Sequence, residues 1–131
     1  MNVRKIEFQQ HGDDRGMLVA VEDKDLPFKI KRVYYMYDTK NGVRRGYHAH
    51  KTLKQILICT SGSCKILLDD GNNREIVELD KPYEGLYIEE GIWREMFDFS
   101  ENAVLMVLAS DNYDESDYIR DYEEYKRSIN T

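Results

Sequence analysis

The chain is short of cysteine, of basic residues and of long apolar runs, and each shortage removes a class of protein. Only two of its 131 residues are cysteine, too few for the disulfide framework that small secreted domains depend on. These two, Cys59 and Cys64, flank a turn at Ser61 and Gly62 and read as buried thiols in a reducing cytoplasm. Lys and Arg number 19 against 25 Asp and Glu, a net charge of −6. That balance argues against a general nucleic-acid or anionic-membrane binder, while allowing a local basic site for a small anion. No stretch approaches the ~20 apolar residues of a membrane span, and the segment from Met1 to Phe8 has no apolar signal core. No linker, repeat or low-complexity segment divides the chain. The expectation is one cytoplasmic domain over residues 1–131, large enough at 41% hydrophobic content to build a core without disulfide or metal staples.

What is present has a period of two. Short β-branched or aromatic segments run from Met17 to Val21, Arg32 to Tyr37, Gln55 to Cys59, Lys65 to Leu68, Glu75 to Leu79, Gly85 to Ile88 and Val104 to Leu108. Gly, Asn, Asp or Pro separate them. Regular short strands with turn signals between them indicate an all-β sandwich or barrel, and Asp69 through Asn73 is the clearest hairpin turn. From Ser116 onward, Tyr118, Tyr122, Tyr125 and Ile129 recur at spacings of three or four among charged residues. This predicts a short C-terminal amphipathic helix that docks on the outside of the sandwich.

The chemistry concentrates around two histidines. His48 and His50, two apart on a strand, project to one side and can put two imidazoles into one cavity. Buried polar groups require partners, so an inward pair has no cheap structural use. A divalent metal needs three or four good donors. Gln55 supplies no anion, Arg94 brings a permanent cation, and Glu89, Glu90 and Glu95 fall away from the positions where ligands are expected. The residues therefore favour a metal-free, cofactor-free site that moves protons next to a carbonyl. An imidazole with an ordinary pKa of about 6.5 can take a proton from a carbon acid and return it. A tyrosine can exchange a proton with an enolate oxygen, and an arginine can hold a phosphate. Arg32 and Tyr34 share one strand face and form the natural inward pair. Arg44 and Arg45 are adjacent, so they cannot both face in.

The spacing from Gly42 through His48, His50 and Gln55 to Gly62 resembles the first motif of the cupin superfamily, with Gln55 where a metal-binding cupin has Glu. The stretch from Gly85 to Met96 looks like a degenerate second motif, with Arg94 where a ligand His is expected. More specifically, Asp14-Arg15-Gly16, Pro27-Phe28, the run from Ile30 to Tyr35, Arg45 to Lys51, Gly85 to Ile88, Trp93 to Met96 and above all Leu108 to Arg120 resemble the dTDP-4-keto-6-deoxyglucose 3,4-ketoisomerases over nearly the whole chain. The resemblance implies a cupin jelly-roll and a metal-independent homodimer. It implies conversion of a dTDP-linked 4-keto-6-deoxyhexose into its 3-keto isomer, on the route to 3-amino-3,6-dideoxyhexoses of bacterial surface polysaccharide. Carried over by position, it implies His48 as the base, with His50 and Tyr34 also catalytic. Arg32, Arg15, Arg45, Gln55 and Arg94 form the expected substrate-binding set. Family members giving the galacto product resemble this chain at Arg15, and those giving the gluco product resemble it at Arg94, so the face on which carbon 4 is reprotonated stays open. A related nucleotide-sugar epimerase, a metal-dependent cupin and a non-catalytic sugar-binding module are the alternatives.

Overall fold

The computed structural model describes residue 1 and residues 3–40 and 42–130. Among them, the strands in chain order are β1 Val3–Glu7, β2 Gln10–Asp13, β3 Gly16–Val19, β4 Arg32–Met36, β5 Arg45–His50, β6 Gln55–Ser61, β7 Cys64–Asp69, β8 Arg74–Leu79, β9 Glu84–Ile88, β10 Trp93–Phe97, β11 Val104–Ala109 and β12 Tyr118–Ile119, followed by the helix α1 Tyr122–Ile129. Two five-stranded sheets, ordered β1-β9-β6-β11-β4 and β12-β5-β10-β7-β8, face each other, and β2 with β3 form a separate ribbon. The strand pairs are antiparallel. This is the all-β sandwich that the period of two calls for.

Alternation explains where the core lies. Leu57 and Cys59 on β6, Ile66 and Leu68 on β7, Leu86 and Ile88 on β9, and Leu105 and Val107 on β11 are buried together between the sheets. Their strand neighbours Ile56, Ile58, Tyr87 and Leu108 point the other way and pack with Phe8. The partly buried Val19, Val21, Leu26 and Phe28 complete this second layer. The two-faced burial of β6 thus follows from an apolar run with no polar side to spare. At one end of the sandwich the inward rows turn polar: Arg32 and Tyr34 precede Met36 on β4, Gln55 precedes Leu57 on β6, Arg94 precedes Met96 on β10, and β5 contributes His48 and His50. The site is the continuation of the core in polar residues.

The turn after β7 forms as expected. Asp70 accepts from Asn72 and Asn73 backbone N–H groups through one carboxylate oxygen, and Gly71 takes the left-handed φ of 96°. The C-terminal expectation needs correction. The segment at Ser116 lies in a one-turn 3-10 helix capped by Asp114, and Tyr118 lies on β12, paired with His50. The α-helix begins only at Tyr122, where the Asp121 carboxylate accepts from the Glu123 N–H. A cap supplied by Asp121 outranks the three-to-four spacing that reaches back to Tyr118. From there the helix docks on the outside as expected. Tyr125 is buried against Trp93 and Ala49, and its hydroxyl donates to backbone carbonyls of Asp69 and Gly91.

Candidate active site

A cavity of about 360 Å³ lies between β4 and β5, lined by Arg32, Tyr34, Arg45, His48, Tyr113 and Arg120 among others. The histidine strand reaches it through a bulge. Arg94 pairs with His48 and Glu95 with Gly46, leaving Tyr47 as the extra residue. Gly46 and Tyr47 both take positive φ, 92° and 58°. A Cβ on Gly46 would stand 2.9 Å from the Arg94 carbonyl oxygen, so glycine is required for β5 to approach β10 this closely. Tyr47 turns outward, and His48 stays in the cavity wall.

The two histidines do share a face, with rings 4.9 Å apart in an edge-on arrangement. They do not share the cavity. His48 lines it, whereas His50 sits behind, its side chain fully covered, beside a much smaller pocket that includes Asp117. Tyr118 packs on both rings, at 4.9 and 4.4 Å. His50 Nδ1 lies 3.1 Å from an oxygen of Asp117, and that carboxylate also accepts from the Thr52 N–H and hydroxyl and the Leu53 N–H. A neutral His50 therefore donates from Nδ1, and its Nε2, buried and without a hydrogen-bond partner, carries the lone pair.

Burial first, and the charge of Arg94 second, push His48 down to about 4 and His50 down to about 2. For His50 these two causes outweigh the nearby Asp117 carboxylate. His48 thus stands as the free base across the neutral range, below the balance near neutrality that its ordinary pKa would give. Burial likewise raises the Tyr34 phenol, with Arg94 acting against it.

Three of the expected substrate-binding residues are not among those lining the cavity of this chain. Arg94 is fully buried, and its guanidinium donates to the Ile92 carbonyl and to Gln55 Oε1. Gln55, 1% exposed, donates from Nε2 to the Tyr34 hydroxyl at 2.9 Å. Neither is among the residues that line the cavity; the buried Gln55 instead links Arg94 to the cavity-lining Tyr34. Arg15 lies elsewhere, on the β2–β3 ribbon, with its side chain 87% exposed and paired to Asp13. Arg32 and Arg45 do line the cavity. Arg32 is flanked by the rings of Tyr34 and Tyr113 at 4.9 and 5.8 Å, and its buried Nε has no hydrogen-bond partner among the described residues. Arg44 is committed to Glu95.

The sequence reading assigned no role to Tyr113, Asp117, Tyr118 or Arg120. Arg120 is held by Glu115 through two nitrogens and stacks 4.1 Å over Tyr118. Tyr113 donates to the same carboxylate. All four fall in the segment from Leu108 to Arg120, the most discriminating part of the resemblance. Taken for a helix start in part, that segment showed no inward face. A free base, a buried cation, a phenol and cavity-lining arginines can together deprotonate carbon next to a carbonyl, stabilise the resulting oxyanion and hold an anionic handle.

Comparison with known proteins shows the family. The family model described as "FdtA: WxcM-like, C-terminal" matches residues 1–130. The chain is 53% identical over 130 residues to the TDP-4-oxo-6-deoxy-alpha-D-glucose-3,4-oxoisomerase of Aneurinibacillus thermoaerophilus, covering 98% of this chain and 94% of that one. Its fold matches a 3,4-ketoisomerase from Helicobacter canadensis with a TM-score of 0.97 at 50% identity, covering 100% of this chain and 99% of that one. A His-to-Asn variant of the ketoisomerase QdtA from Thermoanaerobacterium thermosaccharolyticum, solved with TDP-4-keto-6-deoxyglucose, matches with a TM-score of 0.95 at 50% identity, over 97% and 93% of the two chains. The chain belongs to the family of cupin-like TDP-sugar 3,4-ketoisomerases.

Proposed function

We propose that this enzyme converts TDP-4-keto-6-deoxyglucose into the corresponding 3-keto sugar by metal-free acid–base catalysis, as a cytoplasmic step toward 3-amino-3,6-dideoxyhexoses of bacterial surface polysaccharide. The observation that carries the reading is His48 in the wall of a cavity that also presents the Tyr34 phenol, with the cation of Arg94 buried behind. His48 removes the proton on carbon 3 and the electron pair moves onto the carbonyl oxygen at carbon 4, giving a 3,4-enediolate. The hydroxyl proton on oxygen 3 is then lost, oxygen 4 gains a proton, and carbon 4 is protonated. The balance is an internal redox exchange with no outside oxidant. Arg32, pre-positioned between two rings, and Arg45 are suited to the diphosphate.

The donor chemistry favours the metal-free route. His50 spends Nδ1 on Asp117, Glu90 is paired with Lys54, Glu95 is paired with Arg44, and the Arg94 cation is buried close enough to both histidines to hold their pKa values down. Incubation with TDP-4-keto-6-deoxyglucose in deuterated water, followed by NMR after exhaustive chelation, tests the whole reading. The expected result is a 3-keto product with deuterium at carbon 4. Activity that vanishes on chelation and returns with one divalent ion would overturn the metal-free route. Retention of the 4-keto group with exchange at carbon 3 or carbon 5 would instead make the chain an epimerase.

The functional unit proposed is a homodimer. The outer strand β4 exposes Val33 and Tyr35, Tyr37 just beyond its end is exposed too, and the β2–β3 ribbon exposes Met17 and Leu18. Long apolar edges of this kind are ordinarily covered. Arg15 then belongs to the substrate-binding set by reaching the cavity of the second copy.

A further inference from the structure

A guanidinium donates from every nitrogen and accepts nothing. The side chain of Gln55 that meets Arg94 must therefore present its carbonyl, and Oε1 accepts from Arg94 Nη1 at 2.5 Å. The amide orientation is then fixed at its other end, where Nε2 donates to the Tyr34 hydroxyl oxygen. A hydroxyl that accepts from one side keeps its own proton for another acceptor. Among the described residues the Tyr34 hydroxyl has no hydrogen bond other than the one it accepts from Gln55, while its side chain lines the cavity. We propose that Arg94 and Gln55 are positioning residues that never touch the sugar, forming a one-way relay that aims the Tyr34 proton at the substrate oxygen that becomes negative in the enediolate.

This inference rests on the isomerase reading above and explains why residue 55 is Gln rather than Glu. A carboxylate at residue 55 would pair with a buried cation whose hydrogen bonds now go only to neutral groups. Breaking or omitting the anion beside a buried charge is costly. The same carboxylate would accept from Tyr34 and turn its proton away from the cavity. The chain thus forgoes a buried ion pair in favour of proton direction, and stability and turnover should respond to substitution in opposite senses. A purely structural role for Gln55 predicts that they fall together.

The test is Gln55→Glu, Gln55→Met and Tyr34→Phe, singly and with Gln55→Glu combined with Tyr34→Phe. Gln55→Glu is expected to melt at or above the wild-type temperature and to lose about 100-fold or more in kcat, with KM little changed. Gln55→Met leaves the Tyr34 proton undirected but not captured, so it is expected to melt lower than Gln55→Glu yet turn over faster. With Tyr34→Phe already present, adding Gln55→Glu should cost nothing further. Gln55→Glu with near-wild-type kcat, failure of Gln55→Glu to fold, or losses that multiply in the double variant would each overturn the relay. If the wild type does not turn over TDP-4-keto-6-deoxyglucose, the functional reading fails and the relay is still measurable without substrate. The 13Cζ resonance of Tyr34 is expected to move downfield in Gln55→Glu as the phenol donates to the carboxylate, and an unmoved resonance would sink the proposal.

Discussion

At the residue scale the two histidines have separated roles despite a spacing that treats them alike. His48 borders the cavity, while His50 is packed behind Tyr118 with Nδ1 on Asp117. Its ring lies edge-on to that of His48 and outside the cavity lining, so its influence is on orientation and on the local field. His48→Asn should therefore keep the fold and nucleotide binding but slow hydrogen exchange at carbon 3 by ~100 to 10,000-fold, the usual range for loss of a general base. His50→Asn should slow turnover while leaving carbon 3 exchange measurable. Exchange followed by NMR in deuterated water checks this directly. Near-normal exchange in His48→Asn with none in His50→Asn would make His50 the base.

At the element scale, legibility followed the range of the interaction. Strands β4, β6, β7, β8, β9 and β11 were readable to within a residue or two, because inward and outward burial is written in every second residue. The Asp69-to-Asn73 turn was readable because side-chain caps act locally. Tyr118 was misread because its place is decided by pairing with His50, 68 positions earlier, which no local period records. Gln55 and Arg94 stand out in the sequence because they occupy positions where the cupin resemblance leads one to expect metal ligands. That they sit behind the wall depends on their contacts with each other and with Tyr34 across the two sheets, which their neighbours in sequence do not tell. One consequence belongs to β5 itself, which folds with two neutral imidazoles. The unfolded chain binds their protons near the ordinary 6.5, whereas the folded chain holds them off until about 4 and about 2. Protons thus favour the unfolded state as pH falls below 6.5, and stability should drop by up to about 1.4 kcal/mol per pH unit for each histidine. Carboxylates held low in the fold, such as Glu90 beside Lys54, add to acid sensitivity only below their own ordinary values near 4.5, so the window from pH 6.5 to 5 reports β5. Urea unfolding at pH 7 and pH 5 should show the loss in the wild type and not in a His48→Asn, His50→Asn double variant. A wild-type curve flat over this interval would contradict the buried-neutral assignment.

At the scale of the whole molecule, one residue implied by the family resemblance has no site within its own protomer. Arg15 is paired with Asp13 on a ribbon that hydrogen-bonds to neither sheet, and the sandwich edge nearest the cavity in chain order, β4, carries exposed Val33 and Tyr35 beside the inward Arg32 and Tyr34. Covering that edge with the ribbon of a second copy would bury Met17, Leu18, Val33 and Tyr35 and bring a cation toward the partner's cavity. A closed pair satisfies both copies at once, as two-fold dimers do. Light scattering should accordingly give twice the chain mass at micromolar concentration, and Arg15→Ala should raise KM without unfolding the chain. The decisive arrangement mixes Arg15→Ala chains with His48→Asn chains. In a mixed dimer the first chain offers an intact cavity and the second an intact ribbon, so one complete site re-forms. Random pairing should then restore about a quarter of the wild-type rate from two impaired variants. Rates that never exceed the average of the two parents would mean that Arg15 acts, if at all, within its own chain, and the shared site would have to be abandoned.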